Sequence, residues 1–566
     1  MVNNFRLPIE TIDKVKKIEN NIIEDIELNE KNDRKSLYSH LFRYSNEYGK
    51  QMVEKWNKVF TDDVTYLNET KKMIKNYNSN TSSIVCETWK EIKTTDYFIE
   101  KYYYIDWNYF KFLNNYSYVH QILSVYRILS PICTFILPFV IILSSWFLMR
   151  LSGVKMDFYT FFNFMKVYLK KYTSIGKIFQ SFSSSSSSSK CYAIFSIIMY
   201  FLQIYNNVMV VINFNKNLGQ MHGYIDKINK YMIETSNNMR EYSSLISKYN
   251  TYSVFNEELI CNCKKLEETI IKLKNIPKTH KSLVGASYVG YVQKIIYQFY
   301  TDDELNNVMN YSFGFNGYID NLNGIKENIR LKNISYATFN MKRKTSFKDA
   351  YYPPLLDKNE NKLIIKNTYK LDKEMLISGP NASGKTTVLK TTLFNIICSQ
   401  QFGIGFYKKA NIKAYSNIFC YLNIPDTSGR DSLFQAEARR CVDIIDKINR
   451  IPHENTFCIF DELYSGTNHY EAISSAYSYL NYLVNNYNFH FMMSTHFIEL
   501  CEKLEKNNKK IGNMKMCVTK KEDDFIYSYK MKPGISIVKG GVKVLIDLNY
   551  PKDIIENTKK FIEEEF

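Results

Sequence analysis

Paired cysteines are missing from this sequence. The 11 Cys of the 566-residue chain are scattered. The one close pair, Cys261 and Cys263, has nothing nearby to complete a zinc set, so free thiols in a reducing compartment are expected. The opening residues, Met1 to Glu10, are polar, and no secretory signal is expected in them. Acidic residues are short against basic ones, 57 to 74, for a formal charge of +17. That balance favours an anionic partner, nucleic acid or acidic lipid, without choosing between them. Glycine and proline are scarce through the first 120 residues, where Ile12, Val15, Ile18 and Ile22 recur at helical spacing. Long helices are expected there rather than a compact α/β domain. At 45% hydrophobic and 23% charged, the chain has the composition of a globular protein with room for two to four domains.

Charge itself is missing from two windows. Ile128–Met149 lies between Arg127 and Arg150 and is long enough to cross a bilayer core, which takes about 20 apolar residues. Its Pro131 and Pro138 would break a soluble helix but are tolerated in membrane helices. Cys191–Asn215 is a second window, made weaker by Gln203, Asn206 and Asn207. Two transmembrane helices over 128–149 and 191–215 are expected, with a buried hairpin of a soluble core as the alternative. The stretch 155–172 between them is aromatic and basic, suited to an interface. The run Ser183–Ser189 has the composition of a flexible linker.

After residue 350 the texture changes to short apolar runs alternating with glycine turns and helical stretches, the alternation of α/β units. The run Met375–Ser378 leads into Gly379-Pro380-Asn381-Ala382-Ser383-Gly384-Lys385-Thr386-Thr387, and a helix is expected from Val388. Glycines at this spacing let backbone N–H groups turn inward onto phosphates, Lys385 reaches the β- and γ-phosphates, and Thr386 can ligate Mg²⁺. The helix N-terminus adds its positive dipole end. A second apolar run, Thr456–Phe460, ends in Asp461 and Glu462, placed to hold Mg²⁺ and to polarise the attacking water. A third, Phe489–Thr495, ends in His496. ATP and Mg²⁺ are the implied ligands, and the expected fold is an α/β P-loop (ABC-type) ATPase domain over 346–566.

These parts in this order resemble the MutS family. GPNASGKTT (379–387) resembles that family's phosphate loop, in which the residue at Asn381 reaches the γ-phosphate. FDELYSGTNHYEA (460–472) is similar to its Asp-Glu run, and the Ser465–Asn468 turn is then expected to face an opposite subunit. STHFIEL (494–500) resembles the segment whose histidine, here His496, senses the γ-phosphate. DTSGRDSLFQAEARR (426–440) resembles S-G-R-S-T-F-x-x-E-M, which implies that Ser432 acts in trans on a partner's ATP. Leu433 replaces the family's Thr there, and one additional residue precedes Ser432. The tail 527–556 and, weakly, FKDAYYPPLL (347–356) extend the likeness to about 215 residues.

The resemblance implies a homodimer closing through its ATPase domains on double-stranded DNA. Residues 1–127 and 216–345 are then expected as helical lever or clamp arms, with the hairpin region 128–215 between them. Phe-x-Glu, which the family uses to probe mismatches, recurs at 98–100, 255–257, 497–499 and 561–563, in no setting that marks a mismatch-reading domain. Lys342-Arg343-Lys344 and Lys264-Lys265 are candidate phosphate contacts. The alternative is a membrane-tethered scaffold or remodelling motor with no DNA role. Either way a membrane-associated protein with its ATPase domain facing the cytoplasm is expected. The loop between the two windows is basic, and basic loops prefer the cytosolic side; either that rule is broken here or the two segments dip into the bilayer without crossing it.

Overall fold

The computed structural model describes every residue except 1, 3, 31–34, 79–83, 155, 173–186, 275, 278–286, 340–343, 358–363, 423–431, 522–523, 539–541, 543–544, 547 and 566. The chain divides into two compact units, one of residues 1–85, 235–264 and 308–566, the other of residues 86–234 and 265–307. Within the first, a mostly helical N-terminal part precedes a mixed α/β region.

That α/β region holds two sheets among the described residues. Five strands are β3 (Ser335–Phe339), β4 (Ser346–Ala350), β5 (Asn367–Lys370), β7 (Ile404–Gly405) and β8 (Lys409–Ile412), in the order β5-β4-β8-β3-β7. Six more are β6 (Glu374–Ser378), β9 (Asn417–Tyr421), β10 (Thr456–Asp461), β11 (Phe489–Thr495), β12 (Ile511–Lys521) and β13 (Asp524–Pro533), in the order β13-β12-β6-β11-β10-β9. Strands β12, β6, β11, β10 and β9 run parallel, and β13 turns back antiparallel along the edge. A parallel sheet covered on both faces needs continuous apolar runs rather than alternation. The side chains from Thr456 to Phe460 are accordingly all buried. Leu376, Phe460 and Phe491 share a core with Ile444, Leu480 and Leu500, which come from the helices Leu433–Asn449, His469–Asn486 and Ile498–Asn507.

The N-terminal segment does not form the long helices its composition suggested. Val15–Lys17 is strand β1, paired antiparallel with β2 (Val59–Thr61). Ile12, Val15, Ile18 and Ile22 therefore do not share a helix. Helices in the first 85 residues are short, the longest being Val64–Asn76. The spacing was coincidental with helical periodicity because Ile18 and Ile22 reach the core from extended chain and a short helix. Two buried glutamines stitch this segment to the helix Lys385–Phe402. Gln400 Nε2 donates to Thr61 O at 2.9 Å and Tyr415 O at 2.7 Å, and Gln401 Nε2 donates to Trp56 O at 2.6 Å and Val59 O at 2.7 Å. Tyr38 Oη closes the set by donating to Gln401 Oε1 at 2.8 Å.

In the second unit, the helix Ser117–Leu151 runs unbroken through Pro131 and Pro138, and Ser187–Ile246 begins inside the serine run. Ser187–Ser189 are thus helical, and Ser183–Ser186 lie outside the described residues. Both helices are long and apolar enough to cross a membrane, by length and composition.

Close approach fixes one packing contact in the first unit. A Cβ on Gly324, in the helix Asp303–Arg330, would fall 1.4 Å from Phe42 O. Backbone cannot yield there as a flexible side chain can. Gly324→Ala is expected to destabilise the protein by about 3 kcal/mol, read as a lowered urea midpoint; an unchanged midpoint would show the helix free to shift.

Candidate functional site

Strand β6 delivers the chain to the turn 379–384, and the helix Lys385–Phe402 leaves it. Gly384 sits at φ +93°, a left-handed conformation that a side chain would strain. Ala382 adopts φ +61° despite its Cβ. Backbone is held this way where N–H groups must face one point. Gly379, Pro380 and Ser383 are buried, while Asn381 and Thr387 stand exposed at the lip.

Lys385 is 5% exposed, and its Nζ donates to Gly379 O at 2.9 Å and Pro380 O at 3.3 Å. Burial pushes its ammonium below the ordinary lysine pKa, against the opposing pull of the Glu462 and Asp461 carboxylates. Glu462 Oε1 lies 3.7 Å from Nζ. The Ser383 hydroxyl is buried without a hydrogen-bond partner.

The register of the parallel sheet brings the acids to the same place. Asp461 stands opposite Ser494 across β10 and β11, and Thr495 opposite Ser378 across β11 and β6. Thr386 Oγ1 donates to Asp461 Oδ2 at 2.9 Å, and Ser494 Oγ donates to Asp461 Oδ1. Glu462 takes φ +51°, with its N–H donating to Ser494 O at 3.1 Å. His496, at the end of β11, donates through Nε2 to Glu462 Oε1 at 2.5 Å. This bond, with help from Lys385, holds the Glu462 carboxyl below the usual glutamate range although partial burial raises it. Glu462 is thus kept ionised.

Above the turn opens a cavity of about 880 Å³. Asn381, Ser383, Lys385, Thr386 and Glu462 line one part, and Tyr351, Tyr352, Ile365 and Tyr529 another. The aromatic side escaped sequence analysis because Tyr529 comes from β13 and Tyr352 from a turn before β5. Only the tertiary fold brings them to the same cavity as Gly384.

Residues 375–565 match the family model for MutS domain V. Over these residues the chain is similar to the MutS family. The DNA mismatch repair protein MutS of Finegoldia magna is 29% identical over 191 residues, covering 33% of this chain and 22% of that protein. Its counterpart in Listeria welshimeri is 26% identical over 192 residues, 34% of this chain and 22% of that protein. That of Macrococcus caseolyticus is 26% identical over 224 residues, with 39% and 26% covered. The chain therefore spans about a quarter or less of the length of these curated relatives.

The structure gathers Gly379 to Thr387, Asp461, Glu462 and His496 into one locus, and it leaves Ser432 out. Ser432 does not line the cavity. It is exposed and caps the helix Leu433–Asn449, where its Oγ accepts from Gln435 N at 3.3 Å and its N–H donates to Gln435 Oε1 at 3.0 Å. Residues 426–431 of the same motif, and Lys342 and Arg343, lie outside the described residues.

One further residue of this region carries a sequence signal. Glu437 falls on the acidic position of the S-T-F-x-x-E-M pattern. Its buried carboxylate accepts from Ser465 N at 3.1 Å, Ser465 Oγ at 3.0 Å and Gly466 N at 3.1 Å. The turn after Glu462 is thereby fastened to the helix that starts at Ser432. Glu437→Ala removes the acceptor for both backbone donors and is expected to cost about 1–3 kcal/mol by urea denaturation. Glu437→Gln, which keeps one oxygen, should lose less; equal losses would mean the carboxylate is not the clamp.

Proposed function

We propose that this chain binds and hydrolyses ATP at the turn 379–387, as a P-loop ATPase of the ABC type, and works as a homodimer on double-stranded DNA. The observation that carries this is the Thr386–Asp461 bond. A helix hydroxyl and a strand carboxylate meet at the mouth of a glycine turn, and hydroxyl and carboxylate oxygens are the hard donors Mg²⁺ takes. The rest of the turn suits a triphosphate as well. The Lys385 ammonium is desolvated on backbone carbonyls, and the Ser383 hydroxyl lacks a partner.

Mg·ATP brings the anhydride to be cleaved and a cation to neutralise its oxygens. The chain supplies the rest. Backbone N–H groups of the turn and Lys385 hold the β- and γ-phosphates, and Asn381 reaches the terminal one from the exposed lip. Thr386 and Asp461 hold the metal. Glu462 orients the attacking water and takes its proton, and His496 fixes the Glu462 carboxylate and senses the terminal phosphate. Tyr352, Ile365 and Tyr529 give the base an apolar and aromatic wall. Ser432, exposed and outside its own cavity, acts on the ATP of the opposite subunit. The DNA role is supported by the charge of +17 and by relatives named DNA mismatch repair proteins.

Lys385→Ala should abolish binding of a fluorescent ATP analogue. Glu462→Gln should keep binding, lower turnover about 100-fold or more and accumulate an ATP-bound dimer on size exclusion. Wild-type turnover in Glu462→Gln would remove Glu462 from the chemistry. The pH dependence carries a sign. Glu462 acts ionised and its pKa is depressed by His496, so activity is lost as pH falls through a value below the usual glutamate range. In His496→Ala that depression weakens, and the acid limb of the pH–rate profile should move to higher pH. An unmoved limb would show that His496 does not hold this carboxylate.

A further inference from the structure

Within the second unit, two helices change character at one level. The first turns of Ser117–Leu151 are packed: Ser124 Oγ donates to Gln293 Oε1 at 2.9 Å, and a Cβ on Gly290 would fall 2.1 Å from Ser117 O. From Arg127 to Leu151 no described residue is buried. The returning helix Ser187–Ile246 mirrors this. No described residue from Cys191 to Asn213 is buried, and Phe214 is 3% exposed. The Arg127 guanidinium lies 5.9 Å above the Phe214 ring and donates to Tyr103 O at 2.7 Å. Packed core and bare helix thus meet at a common boundary.

Beyond that boundary the exposed side chains are apolar in succession, as in Phe135, Ile136 and Leu137, then Val140 and Ile141. Consecutive positions point around the whole helix, whereas a protein partner would need a stripe on one face. Length selects the occupant. The 22 residues of Ile128–Met149 rise about 33 Å, matching a hydrocarbon core of about 30 Å. At the far end Arg150 sits 5.3 Å over the Trp146 ring, and Trp146 meets Phe158 edge-on at 5.4 Å, the aromatic and basic pairing of a headgroup zone. Asn207, a polar residue in the second arm, donates to Thr134 Oγ1 at 2.7 Å across the hairpin, so its amide is paired as hydrocarbon demands.

A third exposed element left no apolar window in the sequence. Trp107 is 75% exposed and Tyr109 90%, followed by exposed Phe110, Phe112 and Tyr116. Trp107 is four residues from Tyr103, hence within about 14 Å of the residue whose carbonyl takes the Arg127 guanidinium.

We propose that the arms 127–151 and 191–213 cross a lipid bilayer and that the aromatic segment Trp107–Tyr116 lies in its headgroup region. The bilayer covers an apolar surface far larger than a soluble monomer exposes, and Trp and Tyr favour the interface because each has a wet end and an apolar one. The inference is independent of ATP and of DNA.

The test uses the full-length protein. Wild type, recovered with membranes, should resist alkaline carbonate extraction, and Phe135→Arg with Ile141→Arg should lower retention about tenfold. Depth is read by tryptophan. Trp56 and Trp89 are buried, so Trp146→Phe leaves Trp107 as the accessible reporter. In phosphatidylcholine–phosphatidylglycerol vesicles, bromines near the headgroup end of the acyl chain should quench it at least twofold more than bromines near the chain terminus. Adding Trp107→Phe should remove the quenching. A wild-type chain that stays soluble without detergent, as monomer or self-assembled oligomer, overturns the crossing. A membrane-bound chain whose Trp107 is quenched by neither lipid overturns the headgroup assignment.

Discussion

The alignment of three parallel strands is what the site depends on. Because β6, β11 and β10 run side by side in one direction, the residues at their C-terminal ends arrive together: Ser378 and the turn beyond it, Thr495 and His496, Asp461 and Glu462. A slip of one residue in β10 would exchange Asp461 for Phe460 at this edge and bury the wrong side chain, since successive strand residues face opposite sides. Register is held by side chains that face the core on both sides of the sheet. The chemistry is therefore a consequence of packing. Glu462 and Ala382 take left-handed backbone, which persists only where surroundings over-determine it.

Fastenings reach from this edge into the rest of the first unit. Glu437 binds the turn after Glu462 to the helix begun by Ser432. Gln400 and Gln401, at the other end of the helix that starts with Lys385, are bonded to carbonyls of the N-terminal segment. Buried amides with several partners are costly to leave half bonded, so these glutamines tie the N-terminal residues to the α/β region.

Much of the site was legible in the residues themselves. The glycine turn, the Asp-Glu pair and the terminal histidine each follow an apolar run short enough to be a strand, and all three strands are present where those runs lie. Ser432 is legible as a helix cap, because a serine three residues before a glutamine makes a reciprocal pair of bonds. What escaped depends on distance along the chain. The His496–Glu462 bond needs the sheet order, and Tyr529 beside Gly384 needs the antiparallel return of β13. Ile12 to Ile22 misled because a core can be reached at intervals of three or four by a strand followed by a short helix. Trp107 to Tyr116 left no hydropathy signal because polar residues interrupt the aromatics, and only their exposure sets them apart.

The decisive measurement is a structure of the full chain with Mg²⁺ and a non-hydrolysable ATP analogue. The triphosphate is expected in the 379–387 turn, with Lys385 Nζ turned from the Gly379 carbonyl to phosphate and a metal held by the Thr386 hydroxyl and the Asp461 carboxylate. Nucleotide bound elsewhere, with the 2.9 Å contacts of Lys385 to Gly379 and of Thr386 to Asp461 intact, would contradict this expectation.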